Sequence, residues 1–234
     1  MLKIITAFPK SKVFSLLVIS LILLFSFLQK KSQAISYTGN FTFTTQAQIN
    51  NFPISYPNCT QIIGNVSIGE SASVNSSILH VNGLSGIQQI TGDLYIQNCS
   101  LLNNIIGLST LQSIGDDLLI FGTNSLANVN GLSNLFSVGT GIRIEANSNL
   151  LSLQGFNALG MVGMDGMQII NNPLLNSLQG HPNVTNISYY YVSQNPSLLT
   201  LQGLENLQFI GRLNIESNGI ISMLGLHNAL TINM

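Results

Sequence analysis

Seven glycines, at Gly83, Gly107, Gly131, Gly155, Gly180, Gly203 and Gly225, are spaced 24, 24, 24, 25, 23 and 22 residues apart. A chain of 234 residues does not hold that interval by chance; one structural unit is being reused. Within each unit, apolar residues return at fixed slots. Behind the glycine stand Leu84, Leu108, Leu132, Phe156, Leu204 and Leu226, then Ile87, Leu111, Leu135, Leu159, Val184 and Leu207. Ile90, Ile114, Val138, Val162, Ile187 and Ile210 come next, usually trailed by a second glycine such as Gly92, Gly115, Gly139, Gly163 or Gly211. The pairs Leu94/Ile96, Leu118/Ile120, Ile142/Ile144, Met167/Ile169, Tyr190/Val192 and Leu213/Ile215 alternate at period two, the mark of a strand with one face inward. Two closing slots hold Leu102, Leu126, Leu150, Leu175, Leu198 or Ile221, and then Ile105, Val129, Leu153, Leu178, Leu201 or Leu224.

No window shows a helical stripe, and a unit of this length is filled by short strands and corners. The expected class is all-β: a right-handed parallel β-helix or solenoid of leucine-rich coils of about 23–25 residues, each burying its inward face only against its neighbours. A further slot carries Cys99, Thr123, Asn147, Asn172, Asn195 and Asn218. Asparagine tolerates left-handed backbone and bonds nearby main chain, so this column reads as corner posts rather than ligand groups.

The first 34 residues differ. Lys3, Lys10 and Lys12 precede an uncharged apolar run from Val13 to Leu28, short for a bilayer span, and Ser32-Gln33-Ala34 offers small residues for cleavage. The expectation is a signal peptide over 1–34, cleaved near Ala34; Lys30 and Lys31 keep an uncleaved membrane anchor as the alternative. Either way the product is secreted or displayed at the cell surface. The predicted organisation continues with a lead-in or cap over 35–57 and the repeat array over 58–234, which stops within a coil and so suggests pairing of two copies through an open last coil. All five lysines lie in the leader. The remainder keeps Arg143 and Arg212 against Glu70, Asp93, Asp116, Asp117, Glu145, Asp165, Glu205 and Glu216, a net charge of about −6 that disfavours nucleic acid and anionic lipid as partners. After leader removal no segment is expected to insert into a membrane.

The run Pro57-Asn58-Cys59-Thr60-Gln61-Ile62-Ile63-Gly64-Asn65-Val66-Ser67-Ile68 precedes units of the form Gly-Leu-x-x-Leu-x-x-Ile-Gly-x-x-Leu-x-Ile. Together they resemble receptor L domains, the ligand-binding β-helical domains of the insulin and EGF receptor families, and most resemble the secreted or surface members from Bacteroidetes-type bacteria. The resemblance runs from about Cys59 to the C-terminus and implies a recognition module, not an enzyme. In the receptors the opening cysteine pairs with an earlier one, whereas Cys59 has none before it. Cys59 and Cys99 fall at different slots, which argues against a bridge between them.

Catalysis on extracellular polysaccharide is the rival class, since such enzymes share this architecture and need carboxylates converging on a groove. Asp93, Asp116 and Asp117 are the candidates for it, or for a bound cation. His80, His181 and His227 are isolated, so neither a metal site nor a cofactor is expected. The residues between and after the inward pairs are the more informative ones. Tyr95, Leu119, Arg143, Gln168, Tyr191 and Asn214 form one outward column; Gln97, Phe121, Glu145, Ile170, Ser193 and Glu216 form the next. The predicted ligand face comprises Tyr95, Leu119, Phe121, Arg143, Glu145, Gln168 and Tyr191, for an extracellular protein or glycan. A structural fragment of a larger surface protein is the third possibility.

Overall fold

A computed structural model describes residues 34–69, 76–226, 228 and 231–232; the leader, Glu70, Asn75, His227 and Met234 lie outside the described residues. The chain divides between Ala34 and Ile35 into two units. The second unit is built of short strands in two parallel sheets. The six-stranded sheet runs β1 (Ile35–Thr38), β3 (Cys59–Ile63), β5 (Gln89–Ile90), β7 (Ser113–Ile114), β9 (Ser137–Val138) and β11 (Met161–Val162). The nine-stranded sheet runs β2 (Phe41–Phe43), β4 (Val66–Gly69), β6 (Leu94–Gln97), β8 (Leu118–Phe121), β10 (Gly141–Glu145), β12 (Gly166–Ile170), β13 (Asn186–Ser193), β14 (Phe209–Glu216) and β15 (Thr231–Ile232). Up to β12 the chain alternates between the sheets, so each repeat adds one strand to both, in parallel register with the repeat before.

The core lies between the sheets, and like residues stack on like. Leu94, Leu118, Ile142, Met167 and Tyr190 are register partners along the larger sheet and all are buried. So are the leucines behind the repeat glycines, Leu84, Leu108, Leu132 and Leu204, with Phe156 in the same slot. Full burial of each such side chain contributes roughly 1.5–3 kcal/mol, and each layer obtains it only from the layers beside it.

Two glycine columns allow the layers to approach. A Cβ at Gly107 would collide with the carbonyl of Val81, and one at Gly131 with that of Ile105. At the second column Gly115 faces the Thr91 carbonyl and Gly139 that of Gly115. Backbone fills the space a side chain would need, which is why these positions repeat.

The corner column is a continuous ladder of buried side-chain hydrogen bonds. Thr123 donates its backbone N–H (2.9 Å) and hydroxyl (2.6 Å) to Asn147 Oδ1. Asn147 donates its N–H and Nδ2 to Asn172 Oδ1, both at 3.1 Å. Asn172 does the same to Asn195, and Asn195 to Asn218. Each Nδ2 also reaches a strand carbonyl, such as Ile120 O for Asn147 and Ile144 O for Asn172. Cys99 starts the column with its thiol toward Ile68 O and Gln97 O. The expected left-handed backbone falls not on the ladder residue but on the one before it: Asn98, Gly122, Ala146, Asn171, Gln194 and Ser217 all have φ between 51° and 64°. That turn swings the next side chain into the core, where its amide replaces water.

Residues 35–57, expected as a lead-in, are built into both sheets through β1 and β2. They also contain a helix the periodicity missed, α1 (Gln46–Ser55). Only Ile49 and Phe52 of this helix are buried, too few to make a stripe. Its start is legible as a capping box: Thr45 Oγ1 accepts the Gln48 N–H while Gln48 Oε1 accepts the Thr45 N–H. Phe41, Phe43, Phe52, Tyr56 and Tyr37 pack edge to face over this end of the core. At the other end the slot pattern fails. Ile221 and Leu224, expected inward, are exposed, and Leu213, Ile215 and Leu226 are half-buried. The physical reason is one-sided cover: β13 pairs along β14, whereas on the far side β15 meets only Phe209 and Ile210 and no other described strand follows. Val162 is half-buried too.

Cys59 and Cys99 are both buried free thiols. His181 occupies the slot that is Leu or Phe elsewhere, fully enclosed, with Tyr190 across the core in another aliphatic slot; their polar tips are 3.4 Å apart and His181 Nδ1 has no hydrogen-bond partner. Burial holds this imidazole down at about 4, against the opposing pull of Glu205 and the Leu178 backbone.

Both the ladder and the buried histidine have measurable consequences for stability. Asn172→Ala strands the Asn147 donors and the Ile144 carbonyl; at about 1–3 kcal/mol per unsatisfied buried group it should cost about 3–5 kcal/mol in urea unfolding. Exposed Asn134→Ala should cost under about 1 kcal/mol; equal losses would refute the ladder's role. For His181, the unfolded chain binds a proton near pH 6.5 and the folded chain only near 4. Stability is therefore full above pH 6.5 and falls, by on the order of 3 kcal/mol, as pH drops to 4. His181→Leu/Tyr190→Phe should remove that component, and an unchanged pH profile would show that the histidine is not its source.

Candidate outward sheet face

Strand register turns the predicted outward residues into real columns. Ser67, Tyr95, Leu119, Arg143, Gln168, Tyr191 and Asn214 are successive partners across β4 to β14. Gln97, Phe121, Glu145, Ile170, Ser193 and Glu216 form the neighbouring column. Ser193 departs from expectation and is buried. Tyr95, Leu119, Phe121, Gln168 and Tyr191 are half-buried rather than fully exposed.

A third column, on the pre-strand side, shows in the sequence only through its acids. It consists of Asn65, Asp93, Asp117, Gly141, Gly166, Tyr189 and Arg212. Its start is a polar ladder of its own. Asn65 exchanges hydrogen bonds with Asp93, and Asp93 Oδ1 accepts the Asp117 N–H at 3.0 Å. The Asp93 carboxylate thus supports the backbone as the asparagines do. Gly141 interrupts the acids of the column, and beside it lies a hollow of about 250 Å³ bordered by Tyr95, Asp117, Leu119, Arg143, Asp165 and Gln168. The structure therefore brings four of the seven predicted residues to one concavity and adds Asp165, Gly141 and Asp117. Phe121, Glu145 and Tyr191 share the sheet face but not the hollow.

Electrostatics at the hollow are unbalanced. The Asp117 carboxyl is raised above its ordinary value, first by burial and then by the charges of Asp93 and Asp165, with the Gly141 N–H opposing and Asp116 adding to the rise. The Tyr95 hydroxyl is pushed up to about 12 by burial and by the adjacent Asp93, with smaller contributions from Asp117 and Asp116. The cations do not relieve this: Arg143 Nε lies 2.6 Å from Glu145 Oε2. At the far end, Arg212 stands over the Tyr189 ring at 5.7 Å and its Nε donates to Asn214 Oδ1. Tyr189 and Tyr191 are parallel within 6°, and Tyr191 donates to Glu216 at 3.2 Å. Tyr189 and Arg212 stand one residue before the inward pair, outside the two outward columns that the alternation marks; the unit length places them in the column of Asp93 and Asp117, beyond Gly141 and Gly166.

A larger hollow of about 370 Å³ elsewhere is lined by amides such as Asn130, Gln154 and Asn157, and its one carboxylate, Glu205, accepts the Gly203 N–H. Among the described residues no three His, Cys, Asp or Glu side chains could hold a metal ion, and no helix is long and apolar enough to cross a membrane. Compared with known proteins, the chain matches no family model, no curated protein and no solved structure.

The electrostatic coupling is directly testable. Tyr95 should ionise near pH 12, later than an ordinary tyrosine, and Asp93→Asn should bring that value down; tyrosine-ring NMR against a Tyr95→Phe control reads both. A Tyr95 that titrates near the reference value of 10 would disprove the environment described.

Proposed function

We propose that the chain is an exported, non-catalytic recognition or adhesion module that binds an extracellular protein or glycan through the outward face of its larger sheet. Its two parallel sheets are read as the walls of a right-handed parallel β-helix of the receptor L domain type, with the leader as a signal peptide. One observation carries the reading. The described residues contain only nine Asp, Glu and Arg side chains, and seven of them (Asp93, Asp117, Arg143, Glu145, Asp165, Arg212 and Glu216) stand on this face, with Asp116 adjacent. Solubility alone would scatter so few charges. Concentrated beside Tyr95, Phe121, Tyr189 and Tyr191, they give the mixed aromatic and polar character of a binding surface. Asp93 is ill suited to hydrolysis, because both its oxygens are engaged, by Asn65 and by the Asp117 N–H. Pairing of two copies through the last coil, where no described strand covers the far side of β14 beyond Ile210, belongs to the same proposal, and sedimentation of dilute protein reads it.

Screening wild-type protein against glycan arrays and matrix proteins should yield a partner whose affinity falls about tenfold or more in Phe121→Ser and in Tyr191→Ser. A partner indifferent to both substitutions would move the site off this face.

A further inference from the structure

We propose that the concave part of this face receives a basic side chain, lysine or arginine, presented by a protein partner. The inference rests on the recognition role proposed for this face and specifies the chemistry of its ligand. The hollow combines two features that a basic side chain needs together. Leu119 and the Tyr95 ring supply apolar and aromatic surface for a methylene stem or a cation. Asp117 and Asp165 supply carboxylates at its border, with Asp93 and Asp116 close enough to act on Asp117.

Charge complementarity sets the sign. Arg143 lines the hollow but its Nε is committed to Glu145, and Arg212 is committed to Tyr189 and Asn214. These are the two strong cations among the described residues, so the acids at the hollow have no cationic partner among those residues. A bare divalent ion fits less well, because it requires several converging oxygens and no such group of three exists among the described residues. An ammonium or guanidinium is satisfied by two or three acceptors and fixes its position through its stem. Why the cation belongs to a protein is a matter of the surroundings. The hollow is one part of a sheet face with Phe121 and Gln97 beside it, a surface broad enough to seat a chain.

The test uses the full chain, isotopically labelled, titrated with a lysine-rich nonapeptide and with its glutamate counterpart as control. The expected result is amide shifts centred on Tyr95, Leu119 and Gln168 for the lysine peptide alone. Its affinity should fall about tenfold in Asp117→Asn/Asp165→Asn and decline as salt rises through about 0.1 M, where screening reaches about 10 Å. The amide at position 117 keeps an acceptor for the Gly141 N–H, and if the double variant misfolds, Asp165→Asn alone carries the test. Shifts elsewhere, or equal affinity in the variant, overturn the proposal. A neutral glycan that binds this face and is lost in Phe121→Ser, with no response to the lysine peptide, overturns the charge assignment while leaving the recognition role standing.

Discussion

The buried amide ladder from Thr123 through Asn147, Asn172 and Asn195 to Asn218 is the interaction on which the rest of the structure depends. Parallel strands as short as β5 or β8 hold register weakly by themselves. A slip of one residue would turn every inward leucine outward. The ladder forbids the slip, because each asparagine must meet both the carbonyl of the strand before it and the amide of its counterpart one repeat later. Misplacing one rung would leave several buried polar groups unsatisfied, at about 1–3 kcal/mol each. Register is thereby set by hydrogen bonds, while cohesion comes from apolar burial.

That division explains how a monotonous array can carry a non-repeating surface. The inward slots, the two glycine columns and the ladder column take the sequence constraint, and the outward positions are left free. Tyr95, Leu119, Arg143, Gln168 and Tyr191 are therefore unlike one another although each is the register partner of the next. The pre-strand column shows the freedom in use: acids where it continues the Asn65 ladder, glycine at Gly141 where the hollow opens, and an aromatic and a cation at Tyr189 and Arg212. The pair His181 and Tyr190 brings polar chemistry into slots that are apolar in other layers.

The parallel strands and their inward slots were legible in the residue spacing. The inward assignments of Leu84 to Ile210 hold with Val162 as the half-buried exception, because a slot repeated in successive layers can be packed only one way. The ends were not legible in the same manner. Helix α1 buries two residues and leaves no periodic trace, and Ile221 and Leu224 match the inward pattern but are exposed among the described residues. Of the face, the two outward columns could be written down from spacing alone. The hollow could not, because its border draws on residues of neighbouring strands together with Asp165, which the alternation does not mark.

The sequence by itself determined the repeat, its inward slots, its corner asparagines and the scarcity of charge, since each is a matter of residue type at a fixed interval. Only the tertiary structure decided that Asp93, Asp117, Asp165 and Arg212 join Arg143, Glu145 and Glu216 on one face, that Arg143 and Arg212 are held by their neighbours, and that Asp117 and Asp165 border a common space. The reason is physical. Periodicity fixes where a side chain leaves the backbone, but partners, burial and electrostatic imbalance arise between strands that are about 24 residues apart in the chain.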